Sequence, residues 1–245
     1  GPEGTRRLRA ASELTGVDSV ILGQINELPF SQEALRANSA ELDAAAMGQF
    51  QEILSLADGI SESTMNDLTD PAWRWLRAAS EQAGKLRAIH CLENAGYRST
   101  SLAISGKGDL ERAFDVYDPH LVVHLTVANA EEISMLAKSG AVAVLNPRAN
   151  AALGLPLPPI RELIEAGVPL MLGTDNGLLN SPNLFAELDF TYKLAKSQYG
   201  NAIDPDPATI LQMATSNVRY LPGARHSGYL EKGQAANMAV IDGSS

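Results

Sequence analysis

With a single cysteine, Cys91, among 245 residues, the chain cannot form an internal disulfide. That scarcity excludes a small disulfide-stapled scaffold and fits a reducing cytoplasm. Positive charge is also short. Nineteen Lys and Arg stand against 29 Asp and Glu, a net charge of −10 and a pI near 4.9. No Lys/Arg-rich run offsets this, so nucleic acid and anionic membrane surfaces are poor partners. No apolar run reaches the ~20 residues of a membrane-spanning helix, and no signal-peptide pattern opens the chain. A Gly-x-Ser-x-Gly nucleophile elbow is absent, as is any Gly-rich phosphate loop after a strand. What remains is 45% hydrophobic and 20% charged. It is enough to bury one sizeable core in a soluble, cytoplasmic protein.

The chain does contain a recurrence. Five times an amphipathic helical stretch ends at a glycine and an apolar strand follows: LTGVDSVILG, LADGISES, QAGKLRAIHC, KSGAVAVLNP and EAGVPLMLGT. Gly16, Gly59, Gly84, Gly140 and Gly167 stand where a helix end needs a left-handed residue. A sixth strand, LVVHL at 121–125, enters from a turn at Pro119. Helix starts are marked by Thr69 with Pro71, by Asn129 with Glu132 in capping-box spacing, by Pro158–Pro159 and by Pro207. Runs such as VDSVILG and VPLMLGT are apolar almost throughout, and six strands alternating with helices predict a parallel α/β sheet, either barrel or doubly wound. No Pro/Gly/Ser-rich linker divides it. The tail GYLEKGQAANMAVIDGSS breaks the pattern and reads as a glycine turn followed by one strand.

Parallel sheets and barrels carry their chemistry at the C-terminal ends of strands. Four polar groups fall there: His90 and Glu93 after KLRAI, His124 after LVV, and Asp175 after PLMLGT. Two imidazoles and a carboxylate from separate strands suit zinc or iron(II). Glu93, three residues past His90, can reach the same mouth as a general acid/base without being a ligand. Taken singly, each has a plainer role: a histidine packed at a strand end, an aspartate capping the next helix. Taken together, two of only four histidines, a Glu and an Asp at the mouths of three strands favour a site.

The segments around these residues resemble the amidohydrolase superfamily, most closely its cytosine-deaminase-related branch. IHCLEN resembles the His-x-x-Glu segment of that family's fifth barrel strand, and LVVHLTVANAEEI its sixth-strand histidine. AVAVLNPRAN is similar to the seventh-strand Pro-Arg-Ser-Asn turn, LGTDNGLLNSPNLFAELDF to the eighth-strand aspartate motif, and GYLEKGQAANMAVID to the closing stretch. The resemblance implies a partial TIM-type (β/α)8 barrel with strands three to eight present. Residues 1–225 would form the incomplete barrel, and residues 226–245 would begin a small flanking β-domain. It implies one divalent metal, zinc foremost and iron(II) second, held by His90, His124 and Asp175. Glu93, Asp175 and His124 would be catalytic, and Arg148, Asn150 and Asn176 would contact substrate, with Asn146 also near the mouth. Arg148 and Asn150 are read equally well as braces of their turn.

The departures carry information as well. The family's first-strand His-x-His pair is missing, so truncation is expected, and this stretch alone is expected to hold metal weakly or not at all and to be inactive or nearly so. His120 and His226 lie outside the pattern. DGISES offers no lysine to bridge two metals, which argues for the single-metal branch. Asn237 replaces the family's usual Asp. The cysteine count excludes the Pro-Cys-x-x-Cys type of deaminase zinc site. The expected activity is hydrolysis or deamination at a C–N bond of a small nitrogenous compound, such as a heterocyclic amine or a cyclic amide, by metal-activated water. The competing expectation is a non-catalytic fragment whose two open sheet edges favour self-association.

Overall fold

The computed structural model describes residues 1–224 and 228–241. The expected domain boundary after residue 225, and His226, lie outside them. Six strands form one parallel sheet: β1 (Leu22–Gly23), β2 (Gly59–Glu62), β3 (Leu86–Cys91), β4 (Leu121–His124), β5 (Val142–Leu145) and β6 (Leu170–Leu172). They lie side by side in chain order, each paired in parallel with the next. That order is the wall of a β/α barrel, with a helix returning the chain after each strand.

The returning helices begin with α1 (Pro2–Thr15), α2 (Gln32–Ala37), α3 (Ala44–Leu56), α4 (Asp70–Gln82), α5 (Ala95–Ser105) and α6 (Asp109–Val116). They continue with α7 (Ala130–Ser139), α8 (Pro147–Ala152), α9 (Ile160–Glu165), α10 (Leu184–Tyr199) and α11 (Pro207–Met213). Their start signals act as expected. The Thr69 side chain accepts the Ala72 N–H at the head of α4, and Asn129 with Glu132 forms a complete capping box on α7.

Strand alternation sorts the sheet into two faces. Glu62, Ile89, Val122, Ala143 and Leu170 share one register row. The apolar members of this row belong to the main core under the helices. The opposite face carries a smaller cluster of Ala88, Leu121 and Leu221, flanked by Leu22, Leu86 and Val144. His90, two residues after Ala88, belongs to this second face.

Three details differ from the sequence expectation. Gly16, Gly84, Gly140 and Gly167 are left-handed, with φ of 68°, 63°, 75° and 71°, but Gly59 opens β2 instead of closing α3. Its reason is space: a Cβ there would lie 2.4 Å from the Leu86 carbonyl oxygen and 2.7 Å from the Leu86 Cβ. We expect Gly59→Ala to cost about 1–3 kcal/mol through overpacking. Gly84→Ala, with open space around it, should cost about 1 kcal/mol through its positive φ alone. Urea denaturation of both variants reads the difference, and equal costs would refute the packing argument.

The second detail is the first strand, which shrinks to two residues. Val17 and Val20 are 61% and 56% exposed, and the Ile21 N–H donates to the Asp58 carboxylate at 2.8 Å. An edge strand has one neighbour, and that side-chain bond takes the place of a ladder bond. Residues 228–241 form no strand and are exposed. A strand needs a bonding partner, and these residues pair with no other strand among those described.

Candidate active site

The site is built where β3 and β4 end. Leu92 (φ 55°), His124 (φ 81°), Leu125 (φ 60°) and Asp175 (φ 57°) all adopt left-handed backbone without being glycine. Each such residue costs about 1–2 kcal/mol and persists only where its surroundings hold it. Here the β3 and β4 loops are stitched together. Leu125 N–H donates to the Cys91 carbonyl at 3.1 Å and Val127 N–H to that of Leu92 at 3.2 Å. The Thr126 hydroxyl bridges the Leu92 and Glu93 carbonyls at 3.0 and 2.6 Å. Below them, the buried Asp109 carboxylate receives the Leu92 N–H at 2.7 Å.

These turns aim three side chains at one point. His124 Nε2 lies 3.2 Å from His90 Nδ1, with the rings edge to face at 68°. Glu93 Oε1 is 3.9 Å from His124 Nε2. One donor atom from each of His90, Glu93 and His124 falls within 4.8 Å of the others. Burial, and then the neighbouring His124, lowers His90 to about 4. Burial also lowers His124, against the pull of Glu93 and Asp175. Both imidazoles are therefore neutral near pH 7 and keep the lone pair a metal requires. Beside them, burial and a hydrogen bond with Glu93 push the Tyr97 phenol up.

The remaining expected residues separate. Asp175 lies near enough to act on the charge of both histidines, yet it stands outside the compact trio, on the loop beyond β6. Asn176 is exposed, its Oδ1 accepting the Leu178 N–H at 3.0 Å. Arg148 is tied to Glu187 of α10, which is fully buried. The Arg148 N–H donates to Oε1 at 3.0 Å, and its guanidinium lies 3.7 Å from Oε2. Burial raises the Glu187 carboxyl, while the Arg148 N–H and guanidinium lower it. The buried Asn146 amide, with its nitrogen toward the strands, donates to the Gly173 and Leu145 carbonyls at 3.0 and 3.1 Å, joining β5 to β6. Asn150 contacts His124 itself, Nδ2 to Nδ1 at 3.1 Å. His120 sits at the other end of the strands, where its Nδ1 accepts the Arg87 N–H at 3.0 Å. It lines a cavity of about 580 Å³ there, with Arg87 and Leu221, away from the trio.

Tyr97, Asp109 and Glu187 were not singled out by sequence. Tyr97 and Glu187 did lie in or beside the recognised segments, one helical turn past Glu93 and within FAELDF.

A parallel β/α wall thus carries, at its C-terminal mouth, a His, Glu, His cluster that could hold a metal ion. The sequence matches the amidohydrolase family over residues 3–245. The chain belongs to that family. A Methanothermobacter thermautotrophicus protein named "Putative aminohydrolase" is 35% identical over 242 residues, 99% of this chain and 59% of its own length. The 5-methylthioadenosine/S-adenosylhomocysteine deaminase of Halobacterium salinarum is 33% identical over 217 residues, 82% of this chain and 50% of its own length. The chain thus spans between half and three-fifths of these relatives. An adenosine deaminase from Xanthomonas campestris, solved with bound zinc, superposes with a TM-score of 0.79 at 24% identity. That match covers 93% of this chain and 53% of the other. Among the described residues no helix is long and apolar enough to cross a membrane.

Proposed function

We propose that the chain forms the metal-site portion of a hydrolytic deaminase that removes an amino group from a small nitrogen heterocycle, of the aminopurine class. The observation that carries this is the pair of neutral imidazoles with a carboxylate inside 4.8 Å at the strand mouth. The donor set suits a divalent metal, zinc foremost and iron(II) second. His90, His124 and Asp175 would hold it, Asp175 completing the pair that the strand turns have already brought together. When bound, such a metal lowers the pKa of a water toward neutrality.

The chain's own groups account for the rest. Glu93 would take the proton from the attacking water and deliver it to the substrate nitrogen, reached through the mouth it shares with His124. Tyr97, hydrogen-bonded to Glu93, orients that carboxylate. The Arg148–Glu187 link supports a bracing role for Arg148, and Asn176 is the candidate contact left facing solvent. The aminopurine class is supported by the deaminase relatives. The His-x-His pair of the family's first strand, which would add two ligands, is absent from this sequence. Residues 1–245 are accordingly proposed to bind zinc weakly by themselves and to turn over slowly beside a form spanning the relatives' whole length.

The test measures ammonia release from adenosine and 5′-methylthioadenosine by zinc-loaded protein, alongside zinc content. Zinc-dependent release is expected. A zinc-loaded, full-length protein that releases no ammonia from any aminopurine would sink the substrate class, and failure to take up zinc would sink the metal reading.

A further inference from the structure

The sequence holds a single Asn-Gly pair, Asn176–Gly177, on the loop beyond β6. Both residues are exposed, and Leu178 beside them is 97% exposed. Residues 176–179 form a turn in which the Leu179 N–H donates to the Asn176 carbonyl at 3.2 Å. The Leu178 N–H donates to Asn176 Oδ1 at 3.0 Å. A backbone N–H can only donate, so this contact fixes which side-chain atom is the oxygen.

That bond prepares the side-chain amide for attack. A donor 3.0 Å from Oδ1 stabilises the negative charge that gathers there when a nucleophile adds to Cγ. The next backbone nitrogen, that of Gly177, closes a five-membered ring with Cγ, and its N–H has no acceptor among the described residues. Glycine has no Cβ to crowd that nitrogen, and its backbone is free to swing toward the side chain. Neighbours leave the space open as well, since a Cβ on Gly177 would meet nothing within 4 Å.

We propose that Asn176 is a site of spontaneous covalent modification, deamidated through a succinimide with Gly177 and ending as aspartate or isoaspartate. The Gly177 nitrogen bonds to Cγ and the Cγ–Nδ2 bond breaks. The amide nitrogen leaves as ammonia, taking the Gly177 proton with it. Water then opens the ring. Addition at Cγ gives aspartate, and addition at the main-chain carbonyl carbon gives isoaspartate, whose chain runs through the side chain. The net change consumes one water, releases one ammonia and takes the charge one unit beyond −10. The new carboxylate stands next to Asp175, and isoaspartate adds a methylene to the main chain of that loop. This ammonia is stoichiometric with the chain and needs no aminopurine, which separates it from turnover.

Asn201 supplies an internal control. It is exposed too, and its Oδ1 accepts the Ile203 and Asp204 N–H groups at 2.8 and 2.7 Å, but Ala202 follows it. The test incubates the purified chain for days at pH 8 in ammonium-free buffer. Peptide mass spectrometry and labelling by isoaspartyl methyltransferase then read the product. Residue 176 is expected to exchange its amide NH2 for OH and to be labelled as isoaspartate, while Asn201 stays intact. Gly177→Ala, which fits the open space, should fold normally and lose the modification. A residue 176 that stays asparagine overturns the proposal, as does modification of Asn201 at the same rate. Gly177→Ala deamidating as fast as the unaltered chain overturns it too. Aspartate without isoaspartate would mean direct hydrolysis, and that result removes the succinimide.

Discussion

Replacing Glu93 by glutamine should lower deaminase turnover by about 10²–10⁴-fold in the zinc-loaded, full-length protein, the usual worth of a positioned acid–base group. The amide keeps the shape and can still hydrogen-bond Tyr97, but it cannot accept and return a proton. Zinc content is the second readout, because the carboxylate lies within the same 4.8 Å group as the two histidines. If Glu93 works through protons alone, zinc per chain should hold while turnover falls. If zinc is lost with turnover, Glu93 belongs in the coordination shell and Asp175 loses its claim to be the main carboxylate ligand. A carboxylate that merely decorated the mouth would leave both numbers near normal. A third pattern, in which activity falls only with the folded fraction, would make the Glu93 side chain a structural partner of its neighbours. Thermal unfolding of the same samples separates that case.

The strand-end residues were legible because their positions follow from a local rule. An apolar run sets the strand, and the first polar residues after it must lie at the mouth. His90, Glu93 and His124 obey that rule and converge. Helix starts were legible for the same reason, since a cap acts within three residues of itself, as Thr69 and Asn129 do. Gly59 was misplaced because a glycine needed for a close approach looks, in sequence, the same as one needed for positive φ. The neighbour that decides between them, Leu86, belongs to the next strand. Contacts between distant segments were hidden altogether. Asn150 meets His124 across 26 positions, and Glu187 meets Arg148 across 39. Periodicity says which face a residue takes, not which polar atom waits across the gap. Glu62 shows the limit most plainly: DGISES reads as an ordinary half-polar strand end, yet its glutamate closes a row of core side chains.

That placement makes Glu62 the source of a pH effect on stability. Its side chain shares the register row of Ile89, Val122, Ala143 and Leu170, and it is fully buried. Oε1 accepts the Ile25 N–H at 3.2 Å, while Oε2 has no partner among the described residues. Burial raises the carboxyl from 4.5 to about 8. The Asp67 charge adds to this, and the bonds from Ile25 and Gln24 and the N-terminal charge work against it. Tyr117, whose own phenol is pushed up by burial and by Glu62, supplies no positive charge. The folded chain therefore holds a proton that the unfolded chain releases near 4.5. Below that value both states are protonated and the carboxyl contributes fully to stability. As pH rises toward about 8 the unfolded state binds fewer protons than the folded one, so stability falls, on the order of 1 kcal/mol per pH unit. Lowered histidines act in the opposite sense below 6.5, so the comparison needs a variant that changes Glu62 alone. Glu62→Gln keeps the shape and cannot ionise. Near pH 5 the two proteins should differ by no more than about 1 kcal/mol, the net worth of one hydrogen bond. By pH 9 the variant should be the more stable by a few kcal/mol, because it alone escapes burying a charge. Urea denaturation at pH 5, 7 and 9 reads this directly. Two parallel stability curves would mean that Glu62 finds water or a cation in the folded state, and that the carboxyl is ionised at neutral pH.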